Sequence, residues 1–134
     1  MGRILIDTSI LVEADRGRLD LAARLRAAAE EEFVIGAITV SEILHSLHRA
    51  RTAEQRSRRE TFIEYLLRNF EVMPFDVEEA RVHARLGAEL AAAGVTIGAH
   101  DLILAATALA VGASLATRDE RSFSRVPGLA VLRW

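Results

Sequence analysis

Four acidic residues lie where predicted strands or helices begin or end. They are Asp7, Glu42, Asp101 and Asp119. Carboxylates brought close to one another raise each other's pKa values, and a bound hard cation relieves that repulsion. Oxygen ligands suit Mg²⁺, or Mn²⁺, and such an ion can activate water for attack on a phosphate. If the fold brings these four acids together, they predict a metal-dependent site for phosphoryl chemistry.

Each of these acids also has a purely structural explanation as a helix cap. Asp7 is of a residue type that is common at helix N-caps. Residues 39–42, Thr-Val-Ser-Glu, have the spacing of a capping box. Asp101 would be stabilised by the macrodipole at a helix N-terminus, and Asp119 could cap the turn that follows it. For each acid taken alone, capping is the simpler interpretation, so the metal site depends on their convergence.

The elements that would position these acids alternate between strands and helices. Short apolar runs predict strands over residues 4–6, 33–35, 72–75, 114–117 and 129–132. Apolar residues at helical spacing predict helices over residues 10–14, 19–32, 39–47, 62–67, 76–93 and 101–111. This alternation implies an α/β fold with a mostly parallel central sheet of four to five strands and helices on both faces. Ligands of such sheets bind outside the carboxyl ends of the strands, where all four acids could meet.

Local signals define the helix between the third and fourth strands. Asp76 and Glu79 have capping-box spacing and predict its start. The helix is predicted to end at Ala93, with Gly94 as its C-cap. Pro74 favours an edge or end position for the strand before it.

The composition excludes several classes of site. The chain has 134 residues, 51% hydrophobic and 27% charged, which predicts one globular domain over residues 1–134. The absence of cysteine excludes disulfides, thiolate zinc sites and cysteine nucleophiles. All 17 basic residues are arginine, so no lysine is present for a P-loop or a Schiff base. The net charge of −2 argues against capture of nucleic acid by the whole surface, but not by a local patch.

The sequence shows no targeting or membrane segment. Asp7 interrupts the first apolar run and leaves no signal-peptide core. The longest nearly uncharged stretch, residues 102–116, is shorter than the about 20 residues that span a bilayer. We therefore expect a soluble, cytoplasmic protein with no membrane partner.

The histidines give weaker signals than the acids. Glu42 and His45 have the Glu-x-x-His spacing of di-iron bundle proteins, but the second copy that such a site needs is missing. His45 and His48 are close enough in sequence to share a metal, yet no third ligand is evident nearby. We interpret both as surface or partly buried helix residues. His100 precedes Asp101 and could line the acidic site.

A basic segment and several leucines could serve partners. Five arginines flank a predicted helix–helix turn near Thr52; they are Arg49, Arg51, Arg56, Arg58 and Arg59. A solvated helix pair explains them, but beside a nuclease site they could bind RNA phosphates. Four leucines on amphipathic helices are predicted to serve the core, with a dimer face as the alternative. These leucines are Leu66, Leu67, Leu86 and Leu90.

Five segments, in this order and at these separations, resemble the PIN-domain ribonucleases, specifically the VapC toxins of type II toxin–antitoxin modules. They are Ile-Leu-Ile-Asp-Thr-Ser (4–9), Thr-Val-Ser-Glu-Ile-Leu (39–44), Ala-His-Asp-Leu-Ile-Leu-Ala-Ala (99–106), Leu-Ala-Thr-Arg-Asp-Glu-Arg-Ser-Phe (115–123) and Val-Pro-Gly-Leu (126–129). The resemblance covers essentially the full chain. It implies a PIN-like fold and an Mg²⁺- or Mn²⁺-dependent endoribonuclease that acts on structured RNA such as tRNA, rRNA or mRNA.

The resemblance also assigns roles to residues. Asp7 and Asp101 would be the principal metal-binding carboxylates, and Glu42 and Asp119 would complete the pocket directly or through water. Three hydroxyl side chains would orient these ligands; they are Thr8, Ser9 and Thr117. Such toxins commonly form homodimers, and a VapB-type antitoxin silences them by filling the acidic groove with its tail.

Two positions depart from the family pattern. Many relatives have asparagine at the position of Asp119 and an acid at the position of Ser122, so the fourth carboxylate is displaced along the chain. Ser9 replaces a frequent asparagine, and either residue can hydrogen-bond the first carboxylate.

Three other functions compete with the nuclease. A phosphotransfer receiver domain also gathers carboxylates at a sheet edge, but it needs a lysine that this chain lacks. A Mg²⁺-dependent phosphatase for small molecules has a similar acidic site. A catalytically inert PIN-like domain that binds RNA or protein is the non-enzymatic alternative, although such a domain would have little use for four acids.

Overall fold

A five-stranded, entirely parallel sheet forms the centre of the computed structural model, which describes residues 2–134. Its strands are β1 (Arg3–Ile6), β2 (Glu32–Gly36), β3 (Glu71–Met73), β4 (Ala113–Thr117) and β5 (Val131–Arg133). Their order across the sheet is β3-β2-β1-β4-β5. The chain therefore proceeds from β1 to one side of the sheet for β2 and β3, and to the other side for β4 and β5. The expected α/β class is confirmed, and the sheet is wholly rather than mostly parallel.

Helices cover both faces of this sheet. They are α1 (Thr8–Asp15), α2 (Leu21–Ala27), α3 (Ala37–His48), α4 (Ala53–Asn69), α5 (Val77–Ala92), α6 (Ala99–Val111) and α7 (Glu120–Phe123). Side chains alternate between the two faces along each strand. Leu5, Val34 and Leu115 pack with α5 and α6 on one face. Ile6 and Ile35 pack with α1, α3 and α4 on the other.

The strands that lead to the acidic residues pass into helices with almost no loop. A single residue, Asp7, separates β1 from α1, and none separates β2 from α3. The second junction packs tightly, since a Cβ on Gly36 would lie 3.0 Å from Leu104 Cδ1. The predicted capping box at residues 39–42 is wrong, because α3 already begins at Ala37 with Gly36 as its N-cap. Thr39 lies inside the helix and is fully buried.

Other sequence-based boundaries are confirmed or shifted by a few residues. The capping box of Asp76 and Glu79 is present at the start of α5. That helix ends with Ala93 as its C-cap, and Gly94 follows with a φ of 71°. The most apolar helix, α6, begins at Ala99 rather than at Asp101.

Three predicted elements differ more from the structure. The helix predicted over residues 62–67 is the C-terminal part of α4, which already begins at Ala53. The helix predicted over residues 19–32 is confined to α2, and β5 lies two residues after the start of its predicted run. Of the four leucines predicted for the core, Leu66, Leu86 and Leu90 are buried, whereas Leu67 remains 39% exposed. No helix within residues 2–134 is both long and apolar enough to cross a membrane.

Candidate active site

Asp7 lies at the centre of the carboxyl edge of the sheet, directly after β1. This is the point at which the strand order reverses, between β1 and β4, where open α/β sheets bind ligands. Its side chain is only 6% exposed and makes no capping hydrogen bond to α1. Burial raises the pKa of the Asp7 carboxyl, an effect that hydrogen bonds from Ser9 and Thr117 oppose. The structure therefore uses Asp7 as a buried carboxylate at the site rather than as a helix cap.

Two hydroxyl groups hold one oxygen of Asp7. Ser9 Oγ and Thr117 Oγ1 each donate to Asp7 Oδ2 at 2.7 Å. Each hydroxyl oxygen also accepts a hydrogen bond from a backbone amide. Ser9 accepts from the Arg118 amide at 3.1 Å, and Thr117 accepts from the Asp119 amide at 2.9 Å. Each hydroxyl proton is thus directed at the carboxylate, and Asp7 Oδ1 keeps no side-chain donor among residues 2–134. This arrangement fixes the orientation of Asp7 and leaves one oxygen able to accept a cation.

Glu42 reaches the same site from the second turn of α3. Thr8 Oγ1 lies 2.7 Å from Glu42 Oε1 and 3.2 Å from the buried Thr39 Oγ1. On the other side, His100 Nδ1 is 3.4 Å from Glu42 Oε2. Glu42 is therefore held by α1 and α6 and is free of the capping role that its spacing suggested.

Asp101 faces the pocket from the first turn of α6. Its pKa is raised to about 6, first by burial and then by the negative charges of Asp7, Asp119 and Glu42. Among these charges Asp7 has the largest effect. The coupling shows that four acids from four separate parts of the chain share one electrostatic environment.

Asp119 occupies the exposed side of the pocket. It is the N-cap residue of α7, but its side chain makes no capping hydrogen bond to the backbone. Ser122 Oγ instead donates to Asp119 Oδ2 at 3.1 Å. Ser122 thus orients Asp119, although it supplies no charge of its own.

The acids line one open cavity of about 500 Å³. Six of the seven residues expected at the site line it, namely Asp7, Thr8, Ser9, Glu42, Asp101 and Asp119. The seventh, Thr117, is buried and reaches the site through its hydrogen bond to Asp7. Val12, Glu13 and Arg118 complete the lining. Sequence reasoning missed Arg118, the one cationic side chain in this lining, although its position between Thr117 and Asp119 could have indicated it.

The donor chemistry of the pocket fits a hard divalent cation. Every candidate ligand is a carboxylate oxygen, and neither Asp7 nor Asp101 forms a salt bridge with an arginine within residues 2–134. A cation would favour the ionised form of Asp101, whose pKa is raised by burial and by its acidic neighbours. Within residues 2–134, no three His, Asp or Glu side chains are already close enough together to bind one metal ion. Water would therefore complete the coordination, as is usual for Mg²⁺.

The other candidate metal ligands lie outside this cavity. His45 and His48 are exposed on α3 and line a separate surface depression with Val40 and Leu44. Their interpretation as surface residues agrees with this placement. His100 is the histidine that lies beside the acids, through its contact with Glu42.

Comparison with known proteins identifies the family. The model of the PIN domain matches residues 4–129. Ribonuclease VapC from Rickettsia bellii is 34% identical over 129 residues, which span 96% of this chain and 94% of that protein.

Solved structures show the same fold. VapBC2 from Rickettsia felis, crystallised with a DNA fragment from its promoter, superposes with a TM-score of 0.89 at 24% identity, over 98% of each chain. A toxin–antitoxin complex from Klebsiella pneumoniae superposes with a TM-score of 0.66 at 25% identity, over 96% of this chain and 95% of that one.

Proposed function

This chain belongs to the PIN-domain family, among the proteins named VapC, and on that premise we propose that it is the toxin of a VapBC-type module. Its activity is the metal-dependent endonucleolytic hydrolysis of structured RNA, and residues 1–134 form a single PIN domain. The observation that carries this proposal is the convergence of Asp7, Glu42, Asp101 and Asp119 on one open cavity. Burial, together with repulsion from the other acids of that cavity, raises the pKa of Asp101 to about 6, as expected of acids arranged to share a cation.

Asp7 and Asp101 are the residues that would hold the ion, Mg²⁺ or Mn²⁺. When bound, such an ion makes a water molecule more acidic and neutralises charge on a phosphate. Ser9 and Thr117 favour the ionised form of the Asp7 carboxyl and orient it through their hydroxyl donors. Glu42 and Asp119 complete the acidic wall directly or through water, each held by a hydroxyl of its own, Thr8 and Ser122 respectively.

The proposed reaction is attack of water on an RNA phosphodiester in line with the leaving oxygen. It leaves a 5′-phosphate on one product and a 3′-hydroxyl on the other. Arg118 is placed to contact a phosphate oxygen of the substrate, since its exposed side chain lines the acidic cavity and forms no ion pair within residues 2–134. A guanidinium at this position would offset the repulsion between the acids and the RNA backbone.

The family also supplies the proposed partners and location. A VapB-type antitoxin would silence the protein by filling the acidic cavity, in line with the toxin–antitoxin complex from Klebsiella pneumoniae whose fold this chain shares. We assign a homodimer and a cytoplasmic location on the same grounds. Exposed apolar side chains around β3 would suit the dimer contact; they are Leu67, Val72, Phe75 and Val77.

The test is RNA cleavage by purified protein with single carboxylates removed. Asp7→Asn and Asp101→Asn should abolish cleavage of a total RNA preparation in the presence of Mg²⁺, because each removes a negative ligand with little change in shape. Asp20→Asn is the matched control, since asparagine also serves as an N-cap for α2 at that exposed position. Circular dichroism would show that all three variants are folded.

The outcome also separates the competing functions. Mapping transcript ends after brief expression, with and without Asp7, identifies the RNA that is cut. Cleavage that survives Asp7→Asn or Asp101→Asn in purified protein would refute the assignment. Turnover of a generic phosphate ester without RNA cleavage would instead identify a phosphatase, and metal-independent RNA binding without cleavage would identify an inert binding domain.

A further inference from the structure

A second cavity lies next to the acidic one, between α1, α3 and α4. Four arginines line it, namely Arg16 after α1, Arg49 after α3, and Arg58 and Arg59 within α4. Its volume is about 240 Å³. An adjoining depression shares Arg58 and Phe62 with it and extends it to Tyr65. We call the continuous surface formed by Arg16, Arg49, Arg58, Phe62 and Tyr65 the arginine groove.

The arginines of this groove are free to bind an anion. Arg16, Arg49 and Arg58 are exposed, and their side chains form no hydrogen bond or salt bridge within residues 2–134. Two neighbouring arginines behave differently. Arg59 donates to the Ser46 carbonyl at 2.6 Å, and Arg56 donates to the Leu47 carbonyl at 3.3 Å and pairs with Glu60 at 3.0 Å. The basic segment thus divides into arginines that brace α4 against α3 and arginines that face solvent.

The far end of the groove presents an aromatic surface. The rings of Phe62 and Tyr65 are stacked, with centroids 6.4 Å apart and an angle of 27° between their planes. Tyr65 nevertheless keeps 43% of its surface exposed. An exposed aromatic ring beside unpaired guanidinium groups is a typical surface for single-stranded nucleic acid, since bases stack on the ring and phosphates meet the cations.

The groove also adjoins the place where cleavage is proposed. Val12 lines both the acidic cavity and the arginine groove, so the two surfaces meet across α1. The acidic cavity repels a polyanion, and its lining includes one cation, Arg118. With a net charge of −2 on the chain, attraction of RNA must come from a local patch.

We infer that the arginine groove binds a single-stranded segment of the RNA substrate next to the scissile phosphate. Arg16, Arg49 and Arg58 contact backbone phosphates, and a base stacks on Tyr65. The inference rests on the proposed nuclease function and adds to it the path of the substrate. Asp15 also lines the groove, but its single negative charge leaves an excess of positive charge there. Apolar side chains of the same lining, such as Leu11 and Ile43, could also contact a protein helix, but the three unpaired guanidinium groups favour an anionic ligand.

The experiment measures binding of a fluorescein-labelled single-stranded RNA of about twelve nucleotides, a length that covers the site sizes typical of such surfaces. It uses full-length Asp101→Asn protein so that the probe is not cut. The groove variant Arg49→Gln/Arg58→Gln is compared with Arg81→Gln/Arg85→Gln on α5, which loses the same charge on the opposite face of the sheet.

We expect the groove variant to bind about tenfold more weakly, with the slope of log affinity against log salt reduced by about 1.4, because each phosphate contact to a single strand contributes about 0.7. The control on α5 should retain the original slope. Tyr65→Ala should weaken binding by about fivefold or more, and Tyr65→Phe should restore it, since stacking needs the ring and not the hydroxyl. In the active protein the groove variant should raise KM and leave kcat unchanged.

An affinity and salt slope equal to those of the α5 control would overturn the inference. So would a groove variant that loses a protein partner while binding RNA normally, because the groove would then belong to that partner. Failure of the proposed function has a different signature, namely no cleavage by the unaltered protein. The binding assay does not require cleavage, so its result tests the groove independently of the nuclease activity.

Discussion

Replacing Thr117 by valine tests how the Asp7 carboxylate is held. Valine has nearly the shape of threonine but no hydroxyl, so the variant loses the 2.7 Å hydrogen bond to Asp7 Oδ2. A hydrogen bond to a charged group contributes about 1.5–3 kcal/mol, and a change of one in pKa corresponds to about 1.4 kcal/mol. Because the hydroxyl stabilises the ionised form, its removal should raise the pKa of the buried Asp7 by about 1 to 2.

The assay is an NMR titration of the side-chain carboxyl carbons in metal-free protein. Thr107→Val is the matched control, since Thr107 is also buried but donates to the Ile103 carbonyl within α6 at 2.9 Å. Chemical denaturation would verify that both variants are folded. The acid limb of the cleavage profile should move to higher pH in Thr117→Val, because a larger fraction of Asp7 is then protonated at a given pH.

An unchanged Asp7 pKa in Thr117→Val would refute this reasoning. An equal rise in the Thr107→Val control would do so as well, since the effect would then come from a general loosening of the fold. A rise confined to Thr117→Val would show that one hydroxyl helps to keep the carboxylate ionised.

Four further results are expected. Asp101→Asn should raise the free energy of unfolding at about pH 8 by about 1 kcal/mol. At that pH the Asp101 carboxyl, with a pKa of about 6, is ionised in the folded protein and destabilises it, although the partial exposure of the side chain reduces this effect. In chemical denaturation this gain should disappear as pH falls through 6 and below 3.8, where the carboxyl is protonated in both states. Arg118→Ala should raise KM for RNA about tenfold and Arg118→Lys much less; equal KM values in kinetic assays would contradict the phosphate contact. Thr8→Val should slow cleavage about tenfold by releasing Glu42, whereas Thr61→Val, an exposed site on α4, should not; equal rates would show that Thr8 is dispensable. Chelation of divalent cations should abolish cleavage and added Mg²⁺ or Mn²⁺ should restore it, whereas cleavage that persists in chelator would exclude a metal-dependent reaction.

The positions of the acids were predictable because strand ends are predictable. Short apolar runs placed Asp7 after β1 and Asp119 after β4, and the carboxyl ends of parallel strands must share one edge. Only the resemblance to a family assigned roles to Ser9 and Thr117, since nothing in their spacing shows that both hydroxyls meet one oxygen of Asp7.

Tertiary contacts account for what the sequence did not predict. Residues 39–42 have capping-box spacing wherever the helix starts, and in the structure α3 begins at Ala37, directly after Gly36, which packs closely against Leu104. The alanines after α2 favour a helix, but the chain must leave it to form β2, whose Glu32 amide is bonded to the Gly2 carbonyl. Which arginines brace α4 and which face solvent likewise depends on carbonyls that only the fold brings near.

The hydrogen bond between Asp7 and Thr117 joins residues 110 positions apart, and β1 is paired with β4 along its whole length. During synthesis, a nascent chain still attached to the ribosome has Asp7 without its partner strand until residue 117 has emerged. The proposed nuclease would therefore stay inactive until β4 has left the ribosome and paired with β1. The order of synthesis thus delays the activity until the second half of the sheet is available.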